Sequence, residues 1–376
     1  MKRNIFESAG AKEHAIFRDE KYLYPEHMPQ RLPHRDAEIS SLVFSLQPVL
    51  KGGKPQNVFI AGPTGTGKTA TVRYVLGELQ EYSDRAKGIY INCFEFNSRH
   101  SILSKISNFL GGAVPRRGIA TDEIHSRFME ALRKASFAPI IVLDEVDQLV
   151  LKEGGEKLLY DILRAVESEK ARIGLVMISN DAELTAKLDA RVKSSLNEEK
   201  IMFPAYTPQQ LKDILKERSS YAFMPDAVAD DVIPLAAAHA AKLGGDARVA
   251  IESMLKAGRE AEKDNSEKVE IKHLKKAFEA ADSTSLLKGV KHLSEHEKVL
   301  LTMVASSPDI QSGALFSEFS KKGIKLSERR MRDILNDLEK KNFIAAEVID
   351  LGNKGRSRKF RSRLPKEMLL KGLVES

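Results

Sequence analysis

The chain has 376 residues, 60 Lys and Arg against 53 Asp and Glu, and one cysteine. That length accommodates two or three domains with separate cores; the lone cysteine excludes an internal disulfide framework, and no apolar run approaches a membrane span. The net charge of +7 is local, because Leu286–Ser376 holds 19 Lys and Arg against 12 Asp and Glu and leaves 41 of each upstream; a neutral body carries a basic end suited to a polyanion.

The first 35 residues are polar with scattered prolines (Pro25, Pro29, Pro33) and read as an extended arm. The start lacks the apolar core of a signal peptide, which, with Cys93, predicts a reducing, cytoplasmic setting. A helix is expected over about Asp36–Leu50, then a turn at Lys51-Gly52-Gly53-Lys54-Pro55. Asn57–Ala61 reads as a buried strand running into Gly62-Pro63-Thr64-Gly65-Thr66-Gly67-Lys68-Thr69, a complete G-x-x-x-x-G-K-[ST] match that opens a helix at Ala70. Glycines let backbone N–H groups curl around phosphate oxygens, and the helix N-terminus adds positive potential. Lys68 would reach the outer phosphates of a nucleotide and Thr69 would hold Mg²⁺.

Downstream, strand candidates at Ile89–Asn92, Ile140–Leu143, Gly174–Ile178 and Lys200–Phe203 alternate with helical patterns at Ser98–Leu110, Thr121–Ala135 and Glu156–Ser168. Alternation with continuous apolar strands predicts an α/β fold, a five-stranded parallel sheet with helices on both faces. Cys93 ends an apolar strand and reads as a buried small hydrophobe. Ile140-Ile141-Val142-Leu143-Asp144-Glu145 is a Walker B pattern: Asp144 would bind Mg²⁺, largely through water, and Glu145 would act as general base toward the attacking water.

From Thr207 the pattern is all helical (Thr207–Ser219, Pro225–Leu243, Asp246–Lys263, Lys272–Ala280), with Pro208 and Pro225 expected at first helical positions. Asp282–Val290 reads as a linker. Helices at Ser294–Ser306, Ser312–Lys322 and Ser327–Lys341, followed by strand-like runs at Phe343–Leu351 and Ser357–Leu364 around a Gly352–Gly355 turn, give a winged-helix order. Domains are thus expected at 1–35, 36–205, 206–284 and 285–376.

On the P-loop and Walker B motifs the chain resembles the AAA+ ATPases. That resemblance implies sensor 1 at Asn180, an arginine finger reaching a neighbouring subunit's nucleotide at Arg191, with Lys193 as local competitor, and sensor 2 at Arg248 within Gly244-Gly245-Asp246-Ala247-Arg248. The arm (Ala15–Glu20, Pro25–Pro29, Leu32–Asp36), the finger segment Arg191–Leu196, the sensor 2 wording and the winged helix are similar to the archaeal replication initiators, single-chain relatives of the eukaryotic origin recognition complex. Ala190 departs from the proline expected before the finger, which bears on loop stiffness. The resemblance implies ATP/ADP and Mg²⁺ as cofactors. It also implies nucleotide contacts from Leu32, Pro33, His34, Arg35, Ala70 and Tyr206 beside the P-loop, and DNA contact from a family-specific insertion here carrying Arg116-Arg117.

At the C-terminal end the Ser327–Lys341 helix would be the recognition helix, with Met331, Ile334, Leu335 and Leu338 inward and Arg329, Arg330, Arg332 and Asn336 free for base edges or phosphates. Lys354, Arg356, Arg358, Lys359, Arg361 and Arg363 make the wing basic; six neutralised phosphates would give a salt slope of roughly −5. The expected partners are double-stranded origin DNA, a replicative helicase and paralogous initiators. No membrane partner is expected, and the chain is compatible with a monomer in solution whose ATP sites meet in trans on DNA. The expected function is an ATP-dependent initiator on chromosomal DNA with slow, switch-like hydrolysis. A clamp-loader-type ATPase, which would end in a helical collar, and a nucleotide-switched DNA-binding regulator are the alternatives.

Overall fold

Three apolar strands buried along their whole length set the architecture. The structure, a computed structural model, describes residues 15–115, 118–152, 154–168, 172–321, 326–350 and 356–374. They fall into two units, Met1–Leu274 and Lys275–Ser376. In the first unit the arm passes a 3-10 turn at Glu20–Leu23 and enters α1 (Asp36–Leu46). There follow β1 (Asn57–Ala61), α2 (Lys68–Tyr82), β2 (Ala86–Asn92), α3 (Arg99–Phe109), α4 (Thr121–Lys134) and β3 (Ala138–Asp144). Then come α5 (Asp147–Val150), α6 (Gly155–Ser168), β4 (Gly174–Ser179), α7 (Leu184–Lys187), α8 (Ala190–Leu196) and β5 (Glu198–Met202).

The strands pair in parallel in the order β2-β3-β4-β1-β5. Every residue of β1, β3 and β4 is buried, as expected of central strands covered on both faces. One face packs Ile102, Ile106, Phe128, Leu159 and Ile162; the other packs Leu42, Leu46, Val72 and Val75. β5 is an edge strand, which is why Glu199 and Lys200 can stay exposed on it. The order puts β1 between β4 and β5 and brings the C-terminal ends of β1, β3 and β4 to one edge, where ligands bind in open α/β sheets.

The lid helices are α9 (Pro208–Ala222), α10 (Val232–Lys242) and α11 (Ala247–Lys263). Pro208 is at the first helical position behind a Thr207–Gln210 capping box. The helix expected from Pro225 instead starts at Val232. Asp226 takes a left-handed φ of 61°, Val228 bridges Val269, and the Met224 N–H donates to the Ile16 carbonyl; tertiary pairing of this segment overrides its apolar pattern. The arm is docked rather than loose: Ile16 and Leu23 are buried and Phe17 stacks on Phe223 at 5.0 Å.

α12 spans Ile271–Val290, so the segment expected as a linker is helical. Its Ser, Thr and Gly content reads as loop, but Leu286, Leu287 and Val290 belong to the apolar core of the second unit, and burial outweighs weak propensity. That unit continues with α13 (Glu295–Ser306), β6 (Ile310–Gln311), α14 (Ser312–Lys321), α15 (Glu328–Lys340), β7 (Ile344–Asp350), β8 (Arg356–Ser362) and α16 (Lys366–Val374). Three helices and a β7–β8 hairpin form the expected winged helix, and β6 adds a third strand through Ile310 and Phe360. Leu300, Leu301, Phe319, Leu335 and Phe360 are the centre of its core. No helix of the described residues is long and apolar enough to cross a membrane.

Cys93 is buried where β2 ends, with its N–H donating to the Asp144 carbonyl at 2.8 Å. Burial, reinforced by Asp144, pushes its thiol up to about 12. Alkylation of the native protein at pH 8 should therefore run at least about a thousandfold slower than in denaturant, in proportion to the thiolate fraction. Mass spectrometry of iodoacetamide time courses checks this; equal rates would contradict the burial.

Candidate nucleotide site and nucleic-acid interface

The P-loop leaves β1 with glycines in conformations that side chains resist. Gly65 and Gly67 have φ of 67° and 91°. A Cβ on Gly62 would lie 2.2 Å from the Phe203 carbonyl oxygen, and one on Gly65 would lie 1.7 Å from Asp246 Oδ1. Lys68 opens α2 and is 7 % exposed. Its ammonium donates to the carbonyls of Gly62 and Pro63, both at 2.7 Å, and to Asn180 Oδ1 at 2.9 Å. Burial lowers its pKa, opposed by Asp144. The predicted sensor 1 is thus joined to the P-loop lysine across the sheet edge.

Thr69 Oγ1 donates to Asp144 Oδ2 at 2.7 Å. The Tyr90 hydroxyl, from β2, donates to the same oxygen, while Asp144 Oδ1 accepts the Glu145 N–H at 2.9 Å. A hydroxyl and a carboxylate in contact form an oxygen donor set that fits a hard divalent cation. Glu145 follows with φ 54°. A non-glycine residue held there costs on the order of 1–3 kcal/mol, and such strain gathers at working sites.

Thr64 to Ala70, Asp144, Glu145, Asn180, Tyr206 and Arg248 line one cleft, closed on the arm side by Leu32 and Pro33. Gly62 and Pro63 support it through their carbonyls. His34 and Arg35 do not line it. His34 Nε2 lies 3.1 Å from Asp213 Oδ2. Arg35 is 1 % exposed beneath the loop: its Nε donates to the Thr66 carbonyl and the Tyr206 hydroxyl, Nη1 to Glu38 and Nη2 to the Pro204 carbonyl. The resemblance led to an expectation of nucleotide contact; the geometry makes Arg35 a buried joint instead. Arg191 lies off the cleft, exposed and paired with Asp189 at 3.0 Å.

Sequence reasoning missed three residues of this region and, for Asp246 inside the sensor 2 wording, the contact it makes. Tyr90 holds Asp144, and Arg73 lies over its ring at 4.2 Å. Burial and Asp144 raise the Tyr90 pKa, so it stays a donor. Asp246 caps α11 and packs on Gly65, whose carbonyl accepts the Ala247 N–H at 3.1 Å. Arg218 fixes the arm to α9 by donating to the carbonyls of Tyr22 and His27. Tyr90 had a signal, a polar ring inside an apolar strand; the others depend on contacts between distant segments.

In the winged helix, Arg329 and Arg330 are exposed on the first turn of α15, capped by Ser327. Arg332 pairs with Glu328 at 3.1 Å. Of the predicted hairpin cations, Lys359 pairs with Glu347 at 3.0 Å, Arg361 with Asp309 at 2.6 Å, and Arg358 with Glu339 and, at 2.7 Å, Asn336. Arg116, Arg117 and Lys354 lie outside the described residues, as does the side chain of Arg356.

A P-loop, an Asp-Glu pair, a sensor asparagine and a helical lid on one sheet edge define a P-loop ATPase of the AAA+ class. Residues 52–188 match the AAA domain and residues 212–279 the Cdc6 AAA+ ATPase-type lid domain. The chain is 37 % identical over 372 residues to ORC1-type DNA replication protein 1 of Sulfurisphaera tokodaii, covering 96 % of this chain and 93 % of that one. The Archaeoglobus fulgidus protein of the same name is 35 % identical over 386 residues, covering 99 % and 94 %. Among solved structures, the Aeropyrum pernix ORC1 protein in complex with DNA superposes with a TM-score of 0.71 at 33 % identity, covering 96 % and 97 %. The Pyrobaculum aerophilum Cdc6p structure, at 23 % identity and TM-score 0.64 over 96 % and 99 %, shares the fold. The chain belongs to the ORC1-type DNA replication proteins.

Gly65→Ala should destabilise the protein by about 1–3 kcal/mol, from left-handed backbone strain plus the clash with Asp246. In an Asp246→Ala background the same substitution should cost less, because only the backbone strain remains. Urea denaturation of the four proteins of this cycle measures both.

Proposed function

We propose that this protein is an ATP-dependent replication initiator that binds origin duplex DNA, with slow ATP hydrolysis as a switch for recruiting the replicative helicase. The observation that carries the reading is an assembled hydrolytic cleft on the same chain as a winged helix holding the whole basic excess. The DNA-bound state of the Aeropyrum pernix relative supports it. A C-terminal helical collar, expected of a clamp loader, is not what the described residues of 295–374 form.

In the proposed cycle Lys68 and the P-loop N–H groups bind the phosphates. Thr69 and Asp144 would hold Mg²⁺, which would supply neutralising charge at the phosphate oxygens. Glu145 takes the proton of the attacking water, Asn180 orients that water, and Arg248 reports the lid position to the γ-phosphate. Leu32, Pro33 and Tyr206 cover the base. Arg191, off its own chain's cleft, is suited to a neighbour's nucleotide, so a lone monomer turns over slowly. Arg329, Arg330 and Arg332, with Arg116, Arg117, Lys354, Arg356, Lys359 and Arg361, are the proposed DNA contacts.

Glu145→Gln should retain nucleotide binding and lower single-turnover hydrolysis by about 10²–10⁴-fold; rates equal to wild type would refute Glu145 as the base. Footprinting across a genomic origin with ATP and with ADP tests the switch, and protection identical in both would leave no switch. Absence of any duplex binding at low salt would sink the reading. Arg329→Ala should weaken binding evenly across sequences and reduce the salt slope by about 0.9. The hairpin's own share of the wild-type slope should be shallower than about −5, since a hairpin cation that keeps its carboxylate partner releases no counterion.

A further inference from the structure

The Asn336 amide sits midway along the exposed face of α15 that begins at Arg329, and it is not free at both ends. Arg358 of β8 donates from Nη1 to Asn336 Oδ1 at 2.7 Å, and its Nη2 is held by Glu339, one turn further along the same helix. The guanidinium also lies over the Phe360 ring, centred 5.2 Å away, and Phe360 is buried in the core of the unit. A guanidinium only donates. The atom it meets on Asn336 is therefore the carbonyl oxygen, and the amide orientation is fixed by chemistry. Nδ2 has no hydrogen-bond partner among the described residues.

We propose that Arg358 is a specificity-determining positioning residue: it fixes the Asn336 amide so that the recognition helix offers a base edge a donor. The inference rests on the DNA-binding reading above. An unconstrained asparagine pairs with adenine through both amide groups, accepting from N6 and donating to N7. Arg358 takes one lone pair of Oδ1 and turns that oxygen toward β8, so Asn336 meets the base through Nδ2, donating to purine N7, guanine O6 or thymine O4. Cytosine presents only its N4 donor in the major groove and is rejected. Arg358, its charge already met by Glu339, then acts on sequence choice and not as a phosphate clamp.

The test is selection from a random duplex library by the full chain with Mg-ATP, comparing wild type, Asn336→Ala, Arg358→Met and Arg358→Lys, each checked for cooperative thermal unfolding. In the wild-type motif one position should deplete cytosine about tenfold, and Asn336→Ala should flatten that position alone. Arg358→Met should narrow it toward adenine, and Arg358→Lys, which keeps a donor to Oδ1, should retain the wild-type pattern even if Arg358→Met fails to fold. An Asn336-dependent position that already selects adenine in wild type would overturn the assignment. So would an Arg358→Met protein that binds more weakly with an unchanged motif, or an Asn336→Ala protein with no altered position. A wild-type protein that enriches no duplex would overturn the DNA-binding reading and the inference together.

Discussion

The nucleotide cleft depends on one buried cation that does not line it. Arg35 is enclosed beneath the P-loop, where an unpaired guanidinium would be prohibitive. Its donors reach the Thr66 and Pro204 carbonyls, the Tyr206 hydroxyl and Glu38, and its Cζ lies 4.0 Å from the centre of the Tyr206 ring. Arg35 ends the arm, and these partners come from α1, the P-loop and the strand-to-lid connection. Because each acceptor is at hydrogen-bonding distance, none of those segments can shift without leaving a buried charge unsatisfied. The arm's Leu32 and Pro33 and the lid's Tyr206 thus line the cleft at fixed positions relative to Lys68.

This buried joint also marks the limit of what the sequence conveys. The P-loop and Walker B residues are legible because their chemistry is local: glycines at the turn, a lysine and threonine at the helix start, and carboxylates at the end of an apolar strand. The five strands are legible because burial on both faces leaves continuous apolar runs in the central three. Arg35 carries no such local sign. Adjacent to His34 in a polar, proline-rich arm, it looks like a surface residue, and only partners 31 to 171 positions away identify it. The helix start expected at Pro225 and the linker expected at Asp282 fail for the same reason. Local composition pointed one way, while the pairing of Val228 with Val269 and the burial of Val290 pointed the other.

The charge count shows a further separation between sequence and structure. It located the basic end, but a sum cannot tell which cations are available. Glu347, Asp309 and Glu339 each hold one of the hairpin cations, and Glu328 holds Arg332. Exposed pairs of this kind contribute little to stability, about 0–1 kcal/mol each. Their effect is to set side-chain direction and to lower the positive potential that a polyanion would meet. Arg329 and Arg330, at the capped start of α15, have no carboxylate partner of this kind among the described residues, so the start of α15 presents two unbalanced cations.

The lid contributes to the cleft through contact and through charge, and the two act at different points. Asp246 and Ala247 rest on Gly65, so the N-terminus of α11 touches the P-loop directly, and the next residue, Arg248, turns into the cleft. A lid displaced by little more than a hydrogen-bond length would break the Ala247–Gly65 contact and withdraw Arg248 together. Arg191 is outside this arrangement, tied to Asp189 on the surface. One chain therefore assembles every predicted catalytic group except the finger. On the proposed reading, that division makes nucleotide binding a property of the single chain and efficient hydrolysis a property of neighbours brought together, which suits a protein whose nucleotide state records whether it has assembled.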